Sequence, residues 1–227
     1  MVYFIIKYKV NKNKKDLKIL ITPRLVDSLN DQYYSLSVDW FNFLKKEHIN
    51  FDILTGDNNF NSIENYDGII LSGGGDLSNN NLTTNQSEID IKREDFERKL
   101  IFASKEKKIP LLGVCRGYQS IISNLNNDKE IRFINSGVNI SEKYFTYFNN
   151  GKKMKITCYN NYEFENIDTL NSWDIFSKNE NGFVSSAIHK KHMIIGCIWH
   201  PERELSKNDP VWNNFLKWII FKKEYIF

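Results

Sequence analysis

Residues 111 to 119 read LLGVCRGYQ, an apolar run that ends in a cysteine set between two glycines, with a helical pattern starting directly behind it. A strand that turns into a helix sharply enough to lift a side chain clear of the sheet leaves no room for a Cβ on either side. Gly113 and Gly117 meet that demand. Cys115 then sits at the N-terminus of the helix, where unpaired N–H groups and the helix dipole favour the thiolate. Local structure alone makes Cys115 a candidate nucleophile, against the plainer alternative of a small buried cysteine in a glycine-rich turn.

A cysteine nucleophile needs a base that takes its proton and returns it to the leaving group, and that base needs an orienting partner. His200 and Glu202, in the run Trp199-His200-Pro201-Glu202, can fill those roles. Positions i and i+2 lie on one side of an extended chain, and Pro201 is expected to keep the backbone out of the helical region. An isolated histidine after a strand is more often a surface or hydrogen-bonded core residue. Its pairing with a glycine-flanked cysteine gives it a chemical reading.

Three ordered motifs now stand on the chain: SGGGD (Ser72 to Asp76), PLLGVCRGYQ (Pro110 to Gln119) and GCIWHPE (Gly196 to Glu202). In this order they resemble the class I glutamine amidotransferase superfamily, and within it the free-standing cysteine hydrolases of γ-glutamyl bonds. Arg116 directly after the cysteine, the acid closing the glycine run, and the opening ILITPR (Ile19 to Arg24) favour that branch over the synthetase-coupled glutaminases. The resemblance implies a Cys115, His200, Glu202 triad. It also implies a three-layer α/β sandwich around a mostly parallel, flavodoxin-like sheet with a few antiparallel C-terminal strands.

Attack on an amide carbonyl builds negative charge on oxygen, so two backbone N–H groups should await it: that of Arg116, and one from the glycine loop, Gly74 with Gly73 close behind. The alternative for that loop is a tight turn or a phosphate cradle, although no GK[ST] follows it. Gln119, one helical turn past Cys115, faces the same way and matches the family's substrate-contacting glutamine. Tyr159, Asn160, Asn161 and Tyr162 occupy the place where relatives often carry serine and histidine, and Asn160 is the departure. Arg24 is expected near the site, where it can meet a phosphorylated leaving group. Arg93 and Glu97 resemble a family R-x-x-x-E and are read either as a surface i,i+4 ion pair or as a brace for the site.

The chain of 227 residues is long enough to bury a full core and is read as one domain, 1–227. A net charge of +3, from 31 basic and 28 acidic residues interspersed, gives no footprint for nucleic acid. Three widely spaced cysteines with no CxxC suggest neither a disulfide framework nor a zinc ribbon, and fit a reducing, cytoplasmic setting. The apolar run Val2 to Ile6 is too short for a signal or membrane span. His189 and His192 in a strand hairpin are a poor start for a metal site, so neither metal nor cofactor is expected.

Along the chain, strands are expected at Leu17–Thr22, Phe51–Leu54, Asp67–Ser72, Ile109–Val114, Met154–Cys158, Asp174–Ser177, Gly182–Ile188 and Met193–Trp199. Helices are expected over 36–44, 88–107, from the elbow to Leu125, and over 209–225. Asn79 to Gln86 reads as a polar loop, and Asn126 to Gly151 as irregular. Two functional classes result. One is an autonomous hydrolase that cleaves a γ-glutamyl amide to glutamate and an amine; the other is a glutaminase subunit that passes ammonia to a synthetase. Small members of the first class act on nucleotide-linked γ-glutamyl amidates of capsule phosphoramidate synthesis or on γ-glutamyl polyamine products. No synthetase partner is expected for it.

Overall fold

The computed structural model describes residues 13–28, 31–54, 60–78, 88–126, 132–137, 139–164, 171–204 and 208–221. The expected features at Val2 to Ile6 and Asn79 to Gln86 lie outside them, as does the end of the closing helix.

The first strand, β1 (Lys18–Thr22), ends at Pro23 and leads into an antiparallel ribbon, β2 (Arg24–Ser28) and β3 (Asp31–Ser35). Ser37 caps α1 (Val38–Lys46) by accepting from the Asp39 N–H, and the helix buries Trp40, Phe43 and Leu44. The strand β4 (Asn50–Ile53) follows, then β5 (Gly68–Leu71), α2 (Glu88–Lys107), β6 (Leu111–Val114) and α3 (Arg116–Leu125). Beyond them come β7 (Phe133–Asn135), β8 (Lys143–Phe148), β9 (Lys153–Thr157) and β10 (Tyr162–Phe164). The chain closes with β11 (Trp173–Asn179), β12 (Val184–His189), β13 (Ile194–Cys197), one helical turn α4 (Pro201–Glu204), and α5 (Pro210–Phe221).

Among the described residues, nine strands form one sheet in the order β4-β1-β5-β6-β13-β12-β11-β8-β9. The first five run parallel; β12, β11, β8 and β9 continue the sheet antiparallel. The inner parallel strands β1, β5, β6 and β13 are mostly apolar runs because both faces are covered, whereas β4 at the edge reads NFDI and is only half-buried. A Cβ placed on Gly68 would strike Phe215 and Ile219 of α5, whereas one on Gly113 would strike Ile121 and the backbone of Gly117 in α3. Opposite faces of the sheet therefore carry α5 and α3, which is the expected three-layer α/β sandwich. On the α5 side, Phe43 of α1 meets Trp212 edge to face, with ring centroids 4.8 Å apart. Ile19, Ile21, Ile69, Ile70, Leu111 and Ile195 are wholly buried, each stabilising the fold by about 1.5–3 kcal/mol relative to exposure.

Two expectations need correction. The stretch 126–151 is not irregular throughout: β7 pairs with β10, and β8 is an inner strand of the antiparallel half. Residues 201–204 are a helical turn rather than extended chain, with Pro201 at its first position, where a missing N–H does no harm.

The tightest joint is between α3 and β5, where a Cβ on Gly117 would lie 2.1 Å from the Leu71 carbonyl oxygen. Leu71 cannot move without unpairing β5 from β1 and β6, nor Gly117 without breaking the first turn of α3. Gly117→Ala is expected to lower stability by about 3 kcal/mol or more. Gly182→Ala, at a turn with φ 83° and open space around it, should cost only about 1 kcal/mol. Urea denaturation midpoints of the two variants check the contrast.

Candidate active site

The register of the parallel strands brings the sequence motifs together. Leu71, Gly113 and Gly196 are lateral neighbours in β5, β6 and β13, so the segments that leave these strands emerge side by side at the carboxyl edge. Cys115 follows β6 with φ 54° and ψ −112°, a left-handed conformation that a side chain rarely adopts. Its N–H donates to the Cys197 carbonyl at 2.8 Å, and its own carbonyl accepts from the Gln119 N–H at 3.1 Å to start α3. The strained residue is held from both sides. It is 7 % exposed, so little of it meets solvent.

His200 leaves β13 beside it. Its Nδ1 lies 2.7 Å from Oε1 of Glu202, and both side chains are buried. A Cβ on Gly73 would stand 2.7 Å from Cε1 of the His200 ring and 3.3 Å from the Cys115 Cβ, so the glycine loop lies against both the imidazole and Cys115. The ring of Tyr159 meets His200 edge to face at 5.1 Å. Burial opposes a charge on this histidine, but the Glu202 carboxylate and the Cys115 sulfur outweigh it and push the pKa up to about 10. His200 is thus an imidazolium at neutral pH.

The glycine loop passes over this pair. Gly74 has φ 95°, and its missing Cβ makes room for the stem of Arg24, whose Cδ would be 2.1 Å from it. Below the loop lies a buried ionic cluster. Glu97 of α2 accepts from Arg93 Nε at 2.8 Å through one oxygen and from Arg116 Nη1 through the other. Arg93 donates onward to the carbonyls of Gly74, Ser72 and Gly73 at 2.6, 2.8 and 3.4 Å. Of the two readings of Arg93 and Glu97, the surface ion pair is overturned: the side chains are 4 % and 0 % exposed. Burial and the neighbouring Arg116 depress the Arg93 pKa to about 10, while Glu97, against the cost of burial, is held below the usual carboxylate range by its two guanidinium partners.

Gln119 is buried one turn past the nucleophile and donates through Nε2 to the Tyr162 carbonyl at 3.1 Å. Asn160 donates to the same carbonyl at 3.0 Å and to Glu163 Oε1 at 3.2 Å, so its amide is turned inward to fix this segment. The Asn161 carbonyl accepts from the Ser136 N–H at 2.9 Å, with its residue exposed, and Tyr162 is half-buried. Burial pushes Glu163 up to about 8, with the Asn160 hydrogen bond acting the other way.

A cleft at the mouth is lined by Arg24, Ser35, Trp40, Gly74, His200 and Arg203. Arg203 and the ribbon residue Ser35 escaped the sequence reading. Arg203 follows the HPE run, and its guanidinium lies 4.5 Å from the Tyr159 ring centroid with Nε 3.3 Å from Asp39 Oδ2. Away from the cleft, the rings of His189 and His192 are 4.7 Å apart, and no metal-binding group of three ligating side chains occurs among the described residues. No helix among them is long and apolar enough to cross a membrane.

A cysteine at a strand-to-helix elbow thus stands beside a histidine–carboxylate pair, over the carboxyl edge of a parallel sheet, where open α/β folds place their sites. Residues 21–218 match the model of the class-I glutamine amidotransferases, and the chain belongs to that family. It is 29 % identical over 195 residues to the γ-glutamyl-CDP-amidate hydrolase of Campylobacter jejuni, covering 83 % of this chain and 92 % of the relative. It is 32 % identical over 104 residues to the multifunctional tryptophan biosynthesis protein of Schizosaccharomyces pombe, covering 44 % of this chain and 14 % of that one. Among solved structures, a glutamine amidotransferase of Thermotoga maritima superposes with a TM-score of 0.62 at 14 % identity, over 90 % of this chain and 98 % of that one. A GMP synthase-like protein of Thermoplasma acidophilum gives 0.58 at 15 % identity, over 90 % and 92 %.

The raised pKa of His200 has a consequence for stability. The folded state keeps a proton that the unfolded chain releases near pH 6.5, so this contribution is complete below that value and is lost as pH rises towards about 10. Replacing Glu202 by Gln removes the main charge that holds the proton. Urea denaturation at pH 6.5 and 9.5 should show wild-type stability falling with pH and a flatter profile in Glu202→Gln.

Proposed function

We propose that this chain is an autonomous cysteine hydrolase of γ-glutamyl amides, with Cys115 as nucleophile, His200 as acid and base, and Glu202 as its orienting partner. The observation that carries the reading is the strained Cys115 elbow, hydrogen-bonded to an imidazole whose far nitrogen is fixed by a buried carboxylate. The sulfur attacks the γ-carbonyl carbon, and the carbonyl π electrons move to oxygen. The oxyanion is received by the Arg116 N–H and by that of Gly74 or Gly73. Collapse breaks the C–N bond as His200 protonates the leaving amine, leaving a γ-glutamyl thioester. Water, deprotonated by His200, then attacks the thioester; glutamate departs and the thiolate is restored.

Gln119 and the segment Asn160, Asn161, Tyr162 are assigned to the glutamyl head group; the Gln119 and Asn160 amides both donate to the Tyr162 carbonyl, which ties this segment to the elbow helix and supports the assignment. For the leaving group, similarity to the Campylobacter hydrolase over most of both chains supports γ-glutamyl-CDP-amidate, yielding glutamate and cytidine diphosphoramidate. An exposed Arg24 across Gly74 at the cleft mouth suits a phosphorylated leaving group. Three cysteines without a disulfide fit a reducing cytoplasm. The runner-up, a glutaminase subunit that feeds ammonia to a synthetase, draws on the partial match to the tryptophan biosynthesis protein.

Purified alone, the protein should release glutamate from γ-glutamyl amides. Inertness towards all of them, with ammonia release from glutamine only after a synthetase is added, would establish the runner-up instead. Cys115→Ala should abolish turnover with an unchanged melting temperature, and Glu202→Gln should lose less than His200→Asn.

Arg24→Ala should raise KM for γ-glutamyl-CDP-amidate by roughly tenfold, the effect of one charge-assisted contact, with little change for glutamine. Equal effects on the two substrates would identify a purely structural arginine.

A further inference from the structure

The cluster under the glycine loop has more partners than a structural ion pair requires. Arg93, Glu97 and Arg116 are 4 %, 0 % and 1 % exposed, so each charge has been taken out of water, at a cost that mutual attraction offsets only with full hydrogen bonding. What the bonds reach is informative. Arg93 directs both terminal nitrogens at three successive carbonyls, Ser72, Gly73 and Gly74, while Arg116 Nε donates to the Asp76 carbonyl at 3.4 Å. The carbonyl row of the loop is thereby turned towards the two guanidinium groups.

In a trans peptide the C=O of one residue and the N–H of the next point in opposite directions. Pinning the Ser72 and Gly73 carbonyls down onto Arg93 therefore aims the Gly73 and Gly74 N–H groups up and away from it. The loop lies against Cys115 and His200, since a Cβ on Gly73 would stand 3.3 Å from the Cys115 Cβ and 2.7 Å from the His200 ring. The second expected oxyanion donor, the Arg116 N–H, belongs to the residue whose side chain holds the other oxygen of the same Glu97 carboxylate. One carboxylate thus joins the two strands' exits, through Arg93 to the loop after β5 and through Arg116 to the elbow after β6.

We infer that Glu97, acting through Arg93 and Arg116, is the positioning residue that sets the spacing and aim of the two halves of the oxyanion hole. The inference rests on the cysteine-hydrolase reading above for what the donors receive. It adds a distant residue, on a helix that supplies none of the residues lining the cleft among those described, whose work is felt only when charge develops on the substrate oxygen. Ground-state binding is left to other groups, so kcat and KM should separate.

The test uses the whole chain and two variants that keep the buried charges balanced, Glu97→Asp and Arg93→Lys. The shorter acid cannot span both guanidinium groups, and a lysine cannot serve Glu97 and the carbonyl row together. With L-γ-glutamyl-p-nitroanilide, kcat should fall on the order of 100-fold, as for loss of an oxyanion donor, while KM stays within about threefold. Amide hydrogen exchange across residues 72–76 should quicken by about tenfold or more, with β5, β6 and β13 unchanged. A kcat within about threefold of wild type, a matching rise in KM, or loop exchange equal to wild type would each overturn the inference. If wild type leaves every γ-glutamyl amide untouched, the hydrolase reading fails by itself, and the loop exchange still decides whether Glu97 and Arg93 hold the Gly73 and Gly74 peptides.

Discussion

The approach of the Gly117 backbone to the Leu71 carbonyl is the contact on which the site's geometry depends. Because no Cβ intervenes, the first turn of α3 lies directly on the end of β5, and the loop leaving that strand is brought beside the elbow. A bulkier residue at 117 would lift the helix and draw the Arg116 N–H away from the glycine loop. The same crowding accounts for the strain at Cys115. The chain must complete its turn between Gly113 and Gly117, and the left-handed φ of 54° is what that short path leaves available.

Electrostatics in this molecule serve position more than stability. Buried ionic groups stand near the elbow: the His200–Glu202 pair, whose ring neighbours the Cys115 sulfur, and the Arg93–Glu97–Arg116 cluster, whose Arg116 directly follows Cys115. Replacing such groups with packed apolar side chains is often neutral or stabilising, so their presence in the core calls for another reason. Each fixes a direction: Glu202 turns the imidazole, and the cluster turns the peptides of the loop. A polar anchor continues the arrangement to the last helix, where Asp209 accepts from the Trp199 indole at 2.7 Å and from the Val211 and Trp212 N–H groups at 2.9 Å each. The residue preceding His200 is thereby tied to the start of α5.

Most of the parallel half was legible because its strands are short apolar runs punctuated by glycine and proline, and α2 was read to its boundaries. Cys115, His200 and Glu202, which the structure brings together, were legible as candidates because each follows a strand within a compact motif. Other parts lacked a pattern to read. In β8, buried Thr146 faces inward while Phe145 and Tyr147 face outward, so polarity does not alternate with burial; Lys153 and Lys155 covering the Phe145 ring explain its tolerance outside the core. The ribbon β2–β3 is largely exposed and carries no apolar face, and so Ser35 and its share in the cleft went unseen. Arg93 and Glu97 have the same i,i+4 spacing whether wet or dry, and only the surrounding packing tells the two apart.

The order of the strands in the sheet also bears on the timing of synthesis. The nucleophile's strand β6 lies between β5, made before it, and β13, made only after the whole antiparallel half has left the ribosome. The Cys115 N–H is bonded to the Cys197 carbonyl, and the base follows a few residues later. A nascent chain can therefore assemble the glycine loop and the cysteine, yet has neither the elbow's anchor nor the His200 side chain beside it until β13 and the residues after it are delivered. Topology alone keeps Cys115 and His200 apart in the incomplete polypeptide.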